Sequence, residues 1–271
     1  MPKKVALFTD QTGFQFELPH PPRRIVSLVP SQTELLHALG LSEEVVGITK
    51  FCVHPDEWFR NKTRVGGTKM LHLDKIRELA PDLIIANKEE NNRADIETLR
   101  HLAPVWTSDI ADLDSALQMI RSIGALTGKA VKADHLAREI ALKFAQLKPL
   151  SKPLRTLYLI WKKPYMCAGS DSFIQAMLRT CGFHPEPAGL PRYPSLTMEE
   201  IVSLKPDLVF FSSEPYPFKE KDLEDFRLKM PDSLLELVDG EYFSWYGSRL
   251  LKAPEYFGEI IERLERHRLV T

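Results

Sequence analysis

Short apolar runs alternate along the chain with stretches of helical periodicity. Ile25–Val29, β-branched and bounded by Arg24 and Pro30, predicts a strand. Leu35, Leu36 and Leu39 then recur at helical spacing, and Gly40 stops that helix. Ser31 and Glu34 give it a Ser-x-x-Glu capping-box signature. Strands at Val45–Ile48, Leu83–Ala86 and Val105–Trp106 alternate with helices at Leu73–Leu79 and from about Asn92 to Leu102. This order predicts an α/β lobe with a mainly parallel sheet. From Leu113 to Leu147 the pattern is helical throughout, with Leu117, Ile120, Ile123 and Leu126 on one stripe and an interruption at Gly128. A second series follows: strand Leu157–Trp161, helices Phe173–Cys181 and Met198–Leu204, and strand Leu208–Phe211. A helix near Leu223–Leu228, a strand at Leu234–Val238 and a helix near Pro254–Arg266 complete it.

The two series contain a repeat. Leu73–Glu90 (LDKIRELAPDLIIANKEE) matches Met198–Pro215 (MEEIVSLKPDLVFFSSEP) at an offset of 125 residues. Asp74 falls on Glu199, Pro81-Asp82-Leu83 on Pro206-Asp207-Leu208, and Glu89 on Glu214. Proline ends the helix and tolerates the first strand position, where its missing N–H does least harm. The same order of elements surrounds both copies, and the offset exceeds the roughly 20–50 residues of a solenoid repeat. The expected organisation is an N-terminal extension (1–23), an α/β lobe (24–112), a helical connector (113–150) and a second α/β lobe (151–271).

Composition narrows the function. The 271 residues are 44% hydrophobic and 27% charged, enough for a sizeable core. Basic (36) and acidic (37) side chains nearly cancel, so nucleic-acid binding is disfavoured. No apolar run approaches the roughly 18 residues of a membrane span. Cys52, Cys167 and Cys181 have no close spacing and suggest neither disulfides nor a zinc site. After Lys3 and Lys4 only Val5–Phe8 are continuously apolar, short of the about 7–15 residues of a secretory core, and no early cysteine offers a lipid anchor. The chain as written reads as cytoplasmic, and as periplasmic if its N-terminus is truncated.

In open α/β sheets ligands sit outside the carboxyl ends of the strands. The loops there hold Ser31, Phe51, Cys52 and Glu89 in the first lobe. In the second they hold Trp161, Tyr165, Glu214, Tyr216, Tyr242, Phe243, Trp245 and Tyr246. Aromatics with a polar edge suit a large, flat, partly apolar ligand; each could instead pack beneath its own loop. His54, His72 and Glu89 have no metal-ligand spacing. No His-Asp arrangement accompanies Cys52 or Cys167, and Gly66-Gly67 lacks the phosphate-loop pattern. Neither an intrinsic metal nor an enzyme is expected.

The stretches RIVSLVPSQTELLHALGL, VVGITKFCVHP and RVGGTKMLHLDKIRELAPDLIIA resemble the ABC-transporter solute-binding proteins that handle cobalamin, haem and ferric siderophores, and cobalamin-binding members most. The resemblance implies two Rossmann-like α/β lobes joined by a single long backbone helix, with a ligand cleft between lobes. It implies a corrinoid, haem or ferric siderophore as ligand rather than an intrinsic cofactor. The cobalamin-binding pattern has an aromatic where Phe51 stands, a tryptophan where Tyr193 stands, and cleft aromatics around Tyr242 and Phe243. It has tryptophans where this chain has Thr68 and Asn87. The family docks on its transporter through one acid per lobe, at the positions of Asp74 and Glu199. These could meet arginine sites on a two-fold symmetric ABC permease dimer; equally, a carboxylate is favoured in a helix's first turn whatever its role. The implied protein is a monomeric binding protein; the alternative is a cytoplasmic relative that sequesters, hands over or processes such a cofactor.

Overall fold

The computed structural model describes residues 6–270, which divide into two compact α/β units. The first takes the chain up to Ile110, with Asp114–Ala141 and Tyr246–Arg249. The second holds Ala111–Leu113, Leu142–Trp245 and the chain from Leu250 onward.

The first unit begins with an antiparallel hairpin, β1 (Ala6–Thr9) and β2 (Gln15–Leu18). Then come β3 (Ile25–Ser27), α1 (Pro30–Ala38), β4 (Val45–Ile48), α2 (Asp56–Asn61) and β5 (Thr63–Arg64). A small ribbon, β6 (Gly66–Gly67) with β7 (Met70–Leu71), leads to α3 (Leu73–Glu78), β8 (Leu83–Asn87), α4 (Arg93–Arg100) and β9 (Val105–Ser108). The main sheet is all parallel, in the order β5-β4-β3-β8-β9. Every residue of β3, β8 and β9 is buried, as a sheet covered on both faces requires.

The connector forms α5 (Leu113–Leu126) and α6 (Ala130–Gln146). Gly128, at φ 70°, makes the left-handed turn that separates them. The boundary between the units falls within α6, after Ala141.

The second unit holds β10 (Arg155–Trp161), β11 (Tyr165–Cys167), α7 (Phe173–Thr180), β12 (His184–Glu186), β13 (Ser195–Leu196), α8 (Met198–Leu204) and β14 (Leu208–Ser212). After these come α9 (Glu224–Lys229), β15 (Leu234–Val238), α10 (Gly240–Ser244) and α11 (Ala253–Val270). Its sheet runs β13-β11-β10-β14-β15, with β12 also paired to β10. β11 runs antiparallel to both neighbours, while β10, β12, β14 and β15 are mutually parallel.

The repeat in the sequence is a repeat in hydrogen bonding. Asp82 accepts the backbone N–H groups of Arg23 and Arg24, each at 2.8 Å, and Asp207 accepts that of Arg155 at 2.8 Å. Arg24 donates to the Leu79 carbonyl and Arg155 to the Leu204 carbonyl, at 2.6 and 2.7 Å. Each arginine thus ties the start of a central strand to the end of the helix before its neighbour. Ala80 and Lys205, one residue before the matched prolines, share the left-handed conformation (φ 44° and 48°).

Two local expectations differ. The Ser31–Glu34 capping box is absent: α1 starts two residues earlier than that box requires, with Pro30 in its first turn and Val29 as an N-cap without a side-chain bond. Proline suits that position because its missing N–H would be unpaired there anyway. Residues 240–244, expected to lie in a loop, form α10, capped by Asp239, whose carboxylate accepts the Glu241 N–H at 3.1 Å.

Candidate functional site

In the first unit Phe51 leaves the end of β4 and stays 50% exposed. Lys50 Nζ lies 5.0 Å from its ring centroid. Its ring edge lies 3.1 Å from where a Cβ on Gly67 would stand, so glycine lets the β6–β7 ribbon approach closely. Behind it Cys52 is fully buried, its sulfur within 3.1 Å of the hydroxyls of Thr33 and Thr49. Burial pushes its thiol up to about 11, which disfavours the thiolate at neutral pH.

Ser31 is buried in the first turn of α1 rather than lining an open face. The segment Tyr246–Arg249 lies over it: Gly247 packs against the Ser31 carbonyl, where a Cβ would clash. This segment is fixed at both ends. Tyr246 Oη donates to Glu90 Oε1 at 2.6 Å, and Arg249 makes a two-pronged contact with Glu34 at 2.9 and 3.2 Å. Tyr246, expected on a rim, is therefore 6% exposed, and burial beside the Glu90 carboxylate drives its hydroxyl pKa well up. Glu89 is half-buried at the end of β8; its N–H bonds to Asn87 Oδ1 at 2.8 Å and its carbonyl accepts Lys69 Nζ at 2.5 Å.

In the second unit Trp161 ends β10 and is 39% exposed, set edge-on against Tyr216 with centroids 5.8 Å apart. Tyr216 in turn packs on the buried Phe218 at 4.7 Å. Tyr165, expected in a loop, opens β11 and is half-buried edge-on to Phe226 at 5.2 Å. Nearby Lys162 pairs with the buried Asp222 at 2.8 Å. Trp161, Tyr165 and Tyr216 therefore form one group on a common core. Tyr193 is half-buried, in the segment whose Arg192 and Pro194 carbonyls accept the N–H groups of Gly169 and Cys167.

The aromatics after β15 point the other way. Phe243 has no exposed surface; it packs on Tyr158, Phe210 and Phe257, with centroids 5.2, 5.8 and 4.7 Å away. It is a core residue and not the ligand contact expected, because α10 turns it inward. Tyr242 stacks on Tyr256 at 4.5 Å. Trp245 is 5% exposed, and Glu214 Oε1 accepts both its indole N–H at 2.9 Å and the Ser244 hydroxyl at 2.5 Å. Burial raises the Glu214 pKa above the usual carboxylate range despite these donors. Glu90, Ser244 and the Glu34–Arg249 pair escaped sequence reasoning; no local spacing announces partners 30 or more positions away.

Asp74 and Glu199 sit at the second position of α3 and α8, with side chains 88% and 80% exposed. Asp74 pairs with Arg77 at 2.6 Å; Glu199 lies 4.0 Å from Lys229. Among the described residues no group of three or more His, Cys, Asp or Glu could hold a metal ion, and no helix is long and apolar enough to cross a membrane.

The chain is similar to known transport proteins. It is 28% identical over 200 residues to an uncharacterized ABC transporter substrate-binding lipoprotein of Bacillus subtilis, covering 69% of this chain and 63% of that protein's length. The crystal structure of the periplasmic vitamin B12 binding protein of Vibrio cholerae matches with a TM-score of 0.75 at 21% identity, covering 90% of this chain and 98% of the other. A periplasmic heme-binding protein from Roseiflexus sp. RS-1 matches at 0.73 and 23%, covering 88% and 99%. These relatives are a lipoprotein and two periplasmic proteins, so the comparisons give no support to a cytoplasmic placement. The model of one family, the periplasmic binding proteins, matches residues 25–236. With two α/β units built on one repeated plan and that match spanning most of its length, the chain belongs to the periplasmic binding protein family.

Proposed function

We propose that this protein is a monomeric solute-binding component that works outside the inner membrane and delivers a metal chelate (a corrinoid, haem or ferric siderophore) to an ABC permease dimer. One observation carries the reading. Large aromatic side chains stay exposed at the carboxyl ends of strands, Phe51 after β4 and Trp161 at the end of β10, while Tyr165 and Tyr216 near Trp161 are half-buried. An exposed ring on a rigid strand end is a stacking surface for a flat ligand. On this reading Tyr216, edge-on to Trp161, supports that ring, and Ser31, Glu89, Tyr165, Tyr193 and Tyr242 are lesser ligand contacts. Trp245, Tyr246 and Glu214 act from behind, by fixing loops.

Asp74 and Glu199 support the delivery step. They occupy matched positions, stand free of the core and can reach arginines on a partner. The experiment is a fluorescence titration of the purified protein with cobalamin, haemin and a ferric hydroxamate, repeated with Asp74→Ala/Glu199→Ala. One chelate binds saturably, and the double variant binds it equally well but fails to stimulate transport in permease vesicles. Loss of chelate binding in the double variant would remove the docking assignment.

A further inference from the structure

The hairpin turn of the first unit, the ends of β8 and β9 and one face of α4 enclose a cavity of about 560 Å³. That volume falls in the range of about 300–1,000 Å³ typical of small-molecule sites. α4 lines it with Arg93, Ile96, Glu97 and Arg100, spaced as a single helix face. Thr12, Gly13 and Phe14 supply another wall, and a Cβ on Gly13 would meet nothing within 4 Å.

The wall is built around one carboxylate. Asp10 is buried, and its Oδ1 accepts the Thr12 N–H at 2.8 Å, the Thr12 hydroxyl at 2.7 Å and the Phe14 N–H at 2.9 Å. Its Oδ2 accepts the Thr107 N–H at 3.3 Å and Arg100 Nη2 at 3.5 Å. The Arg100 guanidinium lies over the Phe14 ring, 3.8 Å from its centroid. Turn, strand and arginine are thus held in one arrangement.

The hydrogen bonds left over are mostly donors. Asn87 Oδ1 accepts the N–H groups of Glu89 and Glu90, Asn91 Oδ1 accepts the Asn87 N–H, and Asn91 Nδ2 donates to the Thr68 carbonyl. Glu97 Oε1 is taken by Arg93 Nε. Arg100 Nε and the Thr107 hydroxyl are buried with no hydrogen-bond partner among the described residues. Lys88, Arg93 and Arg100 line the cavity, paired with Asp109, Glu97 and Asp10 respectively, and the Arg100–Asp10 contact is long at 3.5 Å. Unmet buried donors call for acceptor oxygens. The volume exceeds that of a bare oxyanion, and Phe14 and Ile96 offer apolar surface.

We propose that this cavity binds a small organic anion, its carboxylate or phosphate head on Arg93, Arg100 and Thr107 and its compact apolar body against Phe14 and Ile96. The proposal does not rest on the chelate reading and stands or falls without it.

The test is amide NMR on the whole protein, titrated separately with benzoate, phenyl phosphate, inorganic phosphate and benzyl alcohol. Benzoate or phenyl phosphate shifts the Gly13, Phe14 and Thr107 amides saturably, and the tighter of the two identifies the head group. Inorganic phosphate binds more weakly and benzyl alcohol not at all. Arg93→Gln, on a side chain 92% exposed and so expected to fold, weakens binding about threefold or more, and Thr107→Val does likewise while its melting point checks the fold. No saturable shift up to the solubility limit overturns the site. So does benzyl alcohol binding as well as benzoate, or unchanged affinity in Arg93→Gln. Inorganic phosphate binding as tightly as phenyl phosphate overturns the organic ligand.

Discussion

The indole N–H of Trp245 donates to Oε1 of Glu214 at 2.9 Å, beside a second donor, the Ser244 hydroxyl. A carboxylate at the end of β14 thereby holds the C-terminal end of α10. Gly240 permits the approach: a Cβ there would lie 2.9 Å from Glu214 Cγ and clash with the Ser212 hydroxyl.

This pair makes a pH prediction. Burial raises the Glu214 pKa, so the native state binds the proton more tightly than the unfolded chain does. Stability therefore falls as pH rises from the ordinary carboxylate pKa through the raised one, and the penalty is complete above it. Glu214→Gln keeps one acceptor oxygen for Trp245 and loses the charge. Its melting temperature minus that of the parent should rise as pH increases through and above the ordinary carboxylate pKa and then level off. A difference independent of pH would contradict the assignment.

Asp82 and Asp207 give a graded test of the repeat. Asp82 accepts two backbone N–H groups and Asp207 one. Removing either carboxylate should cost about 1–2 kcal/mol, with Asp82→Ala the more costly, measured by denaturant unfolding of each variant. Equal and negligible effects would mean that these links contribute nothing to stability.

The division between core and exposed aromatics separates stability from binding. Phe243→Ala should destabilise by about 3–5 kcal/mol, as for a fully buried phenylalanine. Phe51→Ala and Trp161→Ala should shift the melting point far less and weaken chelate binding by about three- to tenfold each. Thermal melts beside fluorescence titrations read both.

The three thiols should be silent in the native state. All are buried, with Cys52 pushed up to about 11, Cys167 up to about 12 and Cys181 higher still. A maleimide at neutral pH should label none of them until the protein is unfolded, as read by intact mass. Rapid labelling of Cys52 would reopen a chemical role for it.

What could be read from sequence was set by local periodicity. The Pro-Asp-Leu repeat marked matched helix–strand junctions because proline, a helix end and a buried strand each leave a local pattern. The stripe Leu117, Ile120, Ile123 and Leu126 is indeed buried on α5. Thr197 and Glu200 form a capping box on α8 that the Thr-Met-Glu-Glu stretch could have announced. The direction of aromatic side chains was not legible. Glu-Tyr-Phe-Ser-Trp-Tyr has the composition of a binding loop, but a capped turn of helix sends Phe243 into the core and the Glu214 carboxylate draws Trp245 in. The β1–β2 hairpin was only partly legible: Asp10 caps its turn locally through Thr12 and Phe14, while the contacts that seat it on the lobe, to Thr107 and Arg100, lie about 90 or more residues away.

The most direct measurement is retention of a chelate. The protein is mixed with cobalamin, haemin or a ferric hydroxamate, desalted, and its visible absorption read against protein concentration. The account predicts that one chelate is retained at one per chain, and that Phe51→Ala/Trp161→Ala loses it while melting at nearly the parent temperature. Retention of none of the three by the folded parent protein, or full retention by the double variant, would contradict it.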